Sequence, residues 1–292
     1  MDFISIPMGL VLKFIYDNLA FQNYGIAIIL LTVVVKSCLL PLIIKQAQYT
    51  SKISEIQPKM QEIQKLYSND QEKQSAEIMK LYQENKLNPT GGCLPLFIQM
   101  PIVFSLYYVI SQPLKYMVGK SPETIAKLCT LIPNGDGNMN TMNDLVIITY
   151  FKSHPEQLSK VSDLLKPEEL LNMNFLGINL GTVPSWNPVD YAAVGADPHS
   201  YLLLMIPILS GLTSYISMKY SMKDAKNVNG SEIQTSIQNN MAFVSPIMSA
   251  VIAFTVPAGL GLYWIIGNIY QFFQQLFIDI FILRKINIIS EN

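Results

Sequence analysis

The stretch Gly25-Ile26-Ala27-Ile28-Ile29-Leu30-Leu31-Thr32-Val33-Val34-Val35-Lys36-Ser37-Cys38-Leu39-Leu40-Pro41-Leu42-Ile43-Ile44 is apolar apart from Thr32, Lys36 and Ser37. Crossing about 30 Å of hydrocarbon at about 1.5 Å per residue takes about 20 such residues, so the run predicts a membrane-spanning helix. The composition agrees. Charged residues make up 14% of the 292 and hydrophobic residues 50%, where a soluble domain carries about 25% charged residues. Twenty Lys plus Arg against 21 Asp plus Glu leave a net charge of −1. That balance excludes nucleic-acid binding through a basic face, and the apolar share excludes a disordered chain. Cys38, Cys93 and Cys129 are odd in number and unrelated in spacing, so they predict neither a disulfide framework nor a zinc site.

Working outward, four more segments read as spans: 94–116, which carries Pro95, Pro101 and Pro113, then 201–220, 241–256 and 259–283. The fourth span is short, and Pro257 separates it from the fifth so closely that the two must form a tight antiparallel pair. The fold class expected is therefore an all-α polytopic membrane protein with five transmembrane helices. In segment 1–22, Ile6, Leu10, Phe14 and Leu19 are interrupted by Pro7, Lys13 and Asp17. This reads as an interfacial amphipathic helix rather than a signal peptide. Near the span ends, Lys45, Lys52, Lys59, Lys80, Lys86, Lys219, Lys223, Lys226, Arg284 and Lys285 fall on one side, against Lys13, Lys120 and Lys127 on the other. With the positive side inside, the N-terminus is outside and the C-terminus cytoplasmic.

Segment 45–93 reads as a cytoplasmic helical hairpin. Ile53, Ile56, Met60, Ile63 and Tyr67 step by 3, 4, 3 and 4, a heptad seam. Asn69 with Glu72 reads as a helix start, and Ile78, Met79 and Leu81 supply a second apolar stripe. Glu55 with Lys59 and Glu62 with Lys65 are helix-spaced pairs; any single charge here is ordinarily a solvated surface group. Segment 117–199 is an extracytoplasmic insert of short helices opening at Ser121-Pro122-Glu123, at Thr141 with Asp144, and at Pro167-Glu168-Glu169. Its part from Phe175 to Pro198, rich in Gly, Pro and Asn, reads as a loop on the membrane surface. Segments 221–239 and 284–292 read as a cytoplasmic loop and tail. No internal repeat or low-complexity tract stands out.

Lys36 most needs explaining. A charge well inside a span costs roughly 2.5 to 3.5 kcal/mol on insertion scales and usually faces a partner or a water-filled cavity. The bland alternative is that it only snorkels or pairs with one acid, yet Asp279, near the end of the fifth span, is the one acidic residue the spans offer. A polar pocket remains. Trp264, Asn268, Gln271 and Gln275 form a stripe on the fifth span. Ser210, Thr213, Ser214 and Ser217 lie on the third, Ser245 and Ser249 on the fourth, Gln99 on the second and Thr32 on the first. Each hydroxyl alone is more often packing glue than site; together with a lysine they suggest a hydrophilic groove.

Catalytic signatures fail. His154 and His199 are isolated, and Gly119-Lys120-Ser121 lacks the glycine that a phosphate-binding loop needs at Leu114. Asn229-Gly230-Ser231 is formally a glycosylation acceptor but falls in the cytoplasmic loop. No enzyme, metal or cofactor is expected.

Several motifs resemble the YidC/Oxa/Alb family of membrane-protein insertases. They are the first span through Lys36 to Pro41-Leu42, Pro58 within Glu55-Ile56-Gln57-Pro58-Lys59, and above all Asn88-Pro89-Thr90-Gly91-Gly92-Cys93-Leu94-Pro95-Leu96-Phe97-Ile98-Gln99-Met100-Pro101-Ile102. Phe175 to Leu180, Leu202 to Thr213 and Pro257 to Trp264 complete a match of about 200 residues in the family's order. The resemblance implies an ATP-independent insertase and folding chaperone. Its five core helices would enclose a groove open to the cytoplasm and the lipid but closed to the outside. It implies a groove cation at Lys36, where the family usually has arginine, and reception of clients or the ribosome at Pro58, Met60, Ile63, Tyr67 and Leu81. Nascent membrane-protein clients and the lipid bilayer are the implied partners, with the ribosome, the signal recognition particle system and the Sec translocon as candidates. Two other classes use similar features. A small-molecule or ion transporter predicts inverted repeats, of which none is visible; a mere helix scaffold predicts that Lys36 can become Leu without loss.

Overall fold

A computed structural model describes residues 2–88, 94–132, 143–185, 200–221 and 244–283. Expectations resting on the Gly91-Gly92 turn, Thr141, His199, the glycosylation triplet, the loop from 222 onward or the tail 284–292 lie outside these residues.

Helix α1 spans Asp2–Asn18 and buries Ser5, Gly9, Leu12, Ile15 and Tyr16. Helix α2 runs unbroken from Tyr24 to Leu66. Its start is set by Asn23, whose side chain accepts the Ile26 N–H at 3.2 Å. It carries Pro41 and Pro58 inside it, where each removes one backbone donor. Forty-three residues make a rod of about 65 Å, twice the hydrocarbon thickness. The change from apolar to polar sequence at 44/45 is thus a change of surroundings along one helix. After a turn, α3 (Gln71–Glu84) folds back on α2, capped by Asp70, whose carboxylate accepts the Lys73 N–H at 3.1 Å. The cap sits one residue beyond the expected Asn69, because the Tyr67 carbonyl binds the Asp70 N–H and extends the turn. Ile56, Leu81 and Leu87 form the seam's buried centre, with Ile53, Met60 and Ile63 packed around it. Met79 is exposed: two residues before Leu81 on a helix, it points nearly the opposite way.

Helix α4 (Leu94–Ser111) breaks at Pro113 into a π-turn over Leu114–Val118 that ends on left-handed Gly119. The insert then gives α5 (Pro122–Thr130), α6 (Asn143–Ser153) and α7 (Pro155–Leu158), while Pro167–Glu169 makes a single 3-10 turn. Ser121 caps α5 by accepting from Thr124 N at 3.3 Å. One departure from an all-helical fold follows. Strands β1 (Asn174–Phe175) and β2 (Ile178–Asn179) pair antiparallel across Leu176 and Gly177, both at positive φ, which is the two-residue hairpin geometry. This corrects the surface-loop expectation for the start of 175–198: Phe175 joins the core, and Leu180 and Thr182 are buried. Turn residues mark a hairpin here as well as they mark a loop.

Helix α8 (Met205–Ser221), with a 3-10 turn before it, helix α9 (Val244–Ala253) and helix α10 (Ala258–Ile278) complete the described chain. Among the described residues three helices are long and apolar enough to cross a bilayer: Tyr24–Leu66, Tyr201–Ser221 and Ala258–Ile282. Gln99–Ser111 and Val244–Ala253 are shorter apolar helices. The chain is an all-α membrane protein apart from the small hairpin. One continuous core joins α1, the N-terminal part of α2, α4, the insert and the start of α10, through residues such as Leu12, Ile28, Ile110, Ile148 and Leu260.

Candidate functional site

The polar residues singled out from the sequence fall into distinct settings. One group is a clasp across three helices. Ser210 and Ser249 hydroxyls lie 2.8 Å apart, tying α8 to α9. The Asn268 amide donates to Thr213 Oγ1 at 3.3 Å and reaches the Ser210 carbonyl at 3.5 Å, tying α10 to α8. Thr213 itself donates to the Leu209 carbonyl at 2.7 Å. Gly211 permits the close approach, since a Cβ there would meet Ala250 Cβ at 3.2 Å. Ser214 and Ser217 are buried on the same face of α8, and among the described residues Ser217 Oγ has no hydrogen-bond partner.

Lys36 lies next to this clasp. It is half-buried on α2, and its Cε passes over Gly267, where an added Cβ would sit 3.9 Å away. Among the described residues no carboxylate is within ion-pair distance of it. The neighbouring Ser37 hydroxyl is 2.9 Å from Tyr270 OH, a second tie between α2 and α10. Thr32, a turn nearer the start of α2, is fully buried and donates to the Ile28 carbonyl at 2.7 Å, so its hydroxyl is spent within its own helix. Gln99 and Trp264 are half-buried, whereas Gln271 and Ser245 are exposed. The stripe on α10 thus turns outward at Gln271, and the buried glutamine is Gln274. Gln274 follows Gly267 and Tyr270 by seven and four residues, so it shares their face toward α2; that spacing is the signal the sequence held for it. Gln274 also lines an apolar cleft of about 350 Å³ between α2 and α10, with Val33, Leu40, Ile266, Phe273 and Phe277.

The expected reception residues behave differently. Met60, Ile63 and Leu81 pack inside the α2–α3 seam, Tyr67 is half-buried at the turn, and Pro58 is exposed. Two buried polar groups, Tyr24 and Asp144, have partners that the sequence did not indicate. Tyr24 OH donates to the Ile110 carbonyl at 2.9 Å. Asp144 accepts the Lys115 N–H at 3.0 Å and so caps the helical turn that Pro113 reopens. Burial raises the Asp144 carboxyl to about 6, against the backbone donors of Lys115 and Leu114 and the nearby Lys115 charge. Among the described residues no group of three His, Cys, Asp or Glu side chains is placed to hold a metal ion.

Residues 14–285 match the family model described as 60Kd inner membrane protein. Membrane protein insertase YidC of Clostridium perfringens is 33% identical over 263 residues, which cover 90% of this chain and 81% of that protein. The protein of the same name from Oceanobacillus iheyensis is 30% identical over 262 residues, 88% of this chain and 75% of the relative. That from Fusobacterium nucleatum is 28% identical over 256 residues, 88% of this chain and 86% of the relative. With nearly the whole length matched in one register, the chain belongs to the 60Kd inner membrane protein family, the YidC/Oxa family.

Proposed function

We propose that the protein is a membrane-protein insertase and folding chaperone, moving hydrophobic segments of client proteins into the bilayer without ATP. The observation that carries the reading is Lys36: a cation in a spanning helix, half-buried, with no acid in reach among the described residues. Such a charge is costly in lipid, and a water-filled groove that admits acidic client residues is the setting that relieves it. The names and extensive similarity of the relatives support the same function.

In this reading the five segments 25–44, 94–116, 201–220, 241–256 and 259–283 surround a groove open to the cytoplasm and the lipid. The N-terminus is outside, and the hairpin, the 221–239 loop and the tail are cytoplasmic. A client's polar tail enters the groove while its apolar helix moves into lipid, which lowers the desolvation cost of passage. Lys36 attracts acidic tails as a point charge with three rotating donors rather than as a planar fork. Gln99, Asn268 and Gln271 keep the groove wet, and the Ser210–Ser249–Asn268 clasp holds its wall. The outer face of the hairpin, including Pro58, receives clients, with the ribosome, the signal recognition particle system and the Sec translocon as further partners.

The test is insertion of single-span clients into liposomes that contain only this purified protein, read as protease protection of the tail. Lys36→Leu is expected to abolish most protection of an acidic tail and to spare a neutral one. Equal protection of both tails by the variant removes the electrostatic role, and no protection even by the natural chain removes autonomous insertion.

A further inference from the structure

The seam between α2 and α10 has two flanks, and they differ. A Cβ on Gly259 would meet Ile28 at 3.3 Å, and one on Gly267 would meet the Lys36 stem at 3.9 Å. The step is eight residues on each helix, so the two run side by side in the same direction. At about 100° per residue, Asn268 and Gln271 lie about 100° and 40° to one side of Gly267, while Tyr270, Phe277 and Phe273 lie about 60°, 80° and 120° to the other. The polar stripe and the apolar cleft therefore open on opposite flanks. The cleft is lined by Val33, Leu40, Ile266, Phe273, Gln274 and Phe277, and where these helices span the bilayer it faces lipid.

Its shape suits a chain rather than a helix. Spread over the roughly 16 Å between Ile266 and Phe277, a volume of about 350 Å³ has a mean section of about 20 Å², near that of one extended hydrocarbon chain; a helix about 10 Å across needs about four times as much. Its lining is graded along the axis. Gln274 lies seven residues past Gly267 and so is level with Ile43, just inside the change from apolar to polar sequence at 44/45. It is 7% exposed, and among the described residues its amide makes no hydrogen bond. An amide that deep in an apolar cleft needs an acceptor. Deeper in, the lining is apolar except for Tyr270, whose hydroxyl is taken by Ser37. At the boundary stands Lys45, which follows Ser37 by eight residues and Leu40 by five and so shares their face of α2. It is exposed, and among the described residues no carboxylate is within ion-pair distance of it.

From the boundary inward the cleft presents a cation, an amide and a hydrocarbon slot, which is the order of phosphate, glycerol ester and acyl chain in a phospholipid. We propose that it binds one anionic phospholipid of the leaflet on the hairpin side. The phosphate lies at Lys45, an ester oxygen accepts from the Gln274 amide, and one acyl chain runs along Phe273, Leu40 and Val33. The site rests on the reading of these helices as spans and not on insertion, and it is measured without a client.

The purified protein in detergent is titrated with phosphatidylglycerol, and bound lipid is counted by native mass spectrometry. One molecule is expected to bind several-fold more tightly than any further one, and several-fold more tightly than phosphatidylcholine with the same chains. Lys45→Gln and Gln274→Leu should each weaken it several-fold, and Lys59→Gln, on the exposed hairpin, should leave it unchanged. Equal binding by the natural chain and both variants, or equal binding of the two lipids, overturns the site. Displacement by glycerophosphoglycerol, the headgroup without chains, identifies a phosphate site and overturns a lipid one.

A second measurement uses the natural chain alone, in liposomes. Phosphatidylglycerol with a photoreactive acyl chain should label Val33, Leu40 and Phe273 well above Met205, Ile208 and Leu212, which are exposed apolar residues of α8. Equal labelling of both sets is that of ordinary surrounding lipid and overturns the proposal. Loss of client insertion with the preferential labelling intact would sink the insertase reading and leave the lipid site standing.

Discussion

The two halves of α2 share one continuous helix and little else. From Tyr24 to Thr32 it buries Tyr24, Gly25, Ala27, Ile28, Leu31 and Thr32; between Val33 and Glu55 it buries no side chain, and Ile56 in the hairpin seam is the next. The N-terminal half is held by α1, α4, the insert and the start of α10. Beyond Thr32 the helix meets α10 only at half-buried or exposed positions, through the Ser37–Tyr270 tie, the Lys36 stem over Gly267 and the apolar cleft. Apolarity is similar on both sides of Thr32, so the difference comes from neighbours rather than from the helix itself. The buried contacts of the helix are thus concentrated at the end away from Lys36.

The contrast can be broken most strongly at Ile28. Ile28→Ala removes a fully buried side chain from the core that joins α1, α2, α4 and α10 and should cost about 2–5 kcal/mol. Val34→Ala, at a 45% exposed position beyond Thr32, should cost less than about 0.5 kcal/mol. Thermal unfolding in detergent reads both, and similar losses would erase the distinction between the halves.

A comparable effect is expected from pH. The Asp144 carboxyl is raised to about 6 by burial, from 3.8 when unfolded. The folded state therefore holds its proton more tightly, and that contribution is complete below about pH 4 and is lost as pH rises through about 6. The loss is of the order of 3 kcal/mol. Asp144→Asn, which keeps an acceptor and carries no charge, should flatten the stability profile between pH 4 and 7; an unchanged profile would remove Asp144 as its source. A smaller effect is expected at Tyr24→Phe, which withdraws the donor from the buried Ile110 carbonyl and should cost about 1 kcal/mol. The smallest is at Tyr270→Phe, which breaks the exposed Ser37 tie and should be nearly silent in the same assay.

How far the sequence reveals this molecule follows from the range of the interactions. The first span, the hairpin seam at Ile56 and the Ser121 cap are written in contiguous or helix-spaced residues. The meeting of Phe175 with Gly25 joins residues 150 apart and leaves no local pattern. Asp144 looks like an ordinary helix-start acid until α4 breaks at Pro113 and presents amides to it. The polar stripe on α10 was legible as a stripe, but which glutamine turns inward depends on where α2 packs. Met60, Ile63 and Leu81 illustrate the reverse: an apolar seam reads equally well as a receiving surface and as the glue of a hairpin, and here the side chains are occupied with each other.

The unbroken length of α2 also has a mechanical meaning. Pro41 sits between the stretch that Lys36 and Ser37 tie to α10 and the arm that carries the hairpin, and its missing N–H leaves the Ser37 carbonyl without its usual helical partner. From Pro41 to Leu66 the arm is about 38 Å long. A pivot of about 10° there sweeps the tip by roughly 6 to 7 Å while moving Lys36, five residues on the anchored side, far less. The helix is thus geared: a load on the tip can swing widely without dragging the lysine from its place beside Gly267.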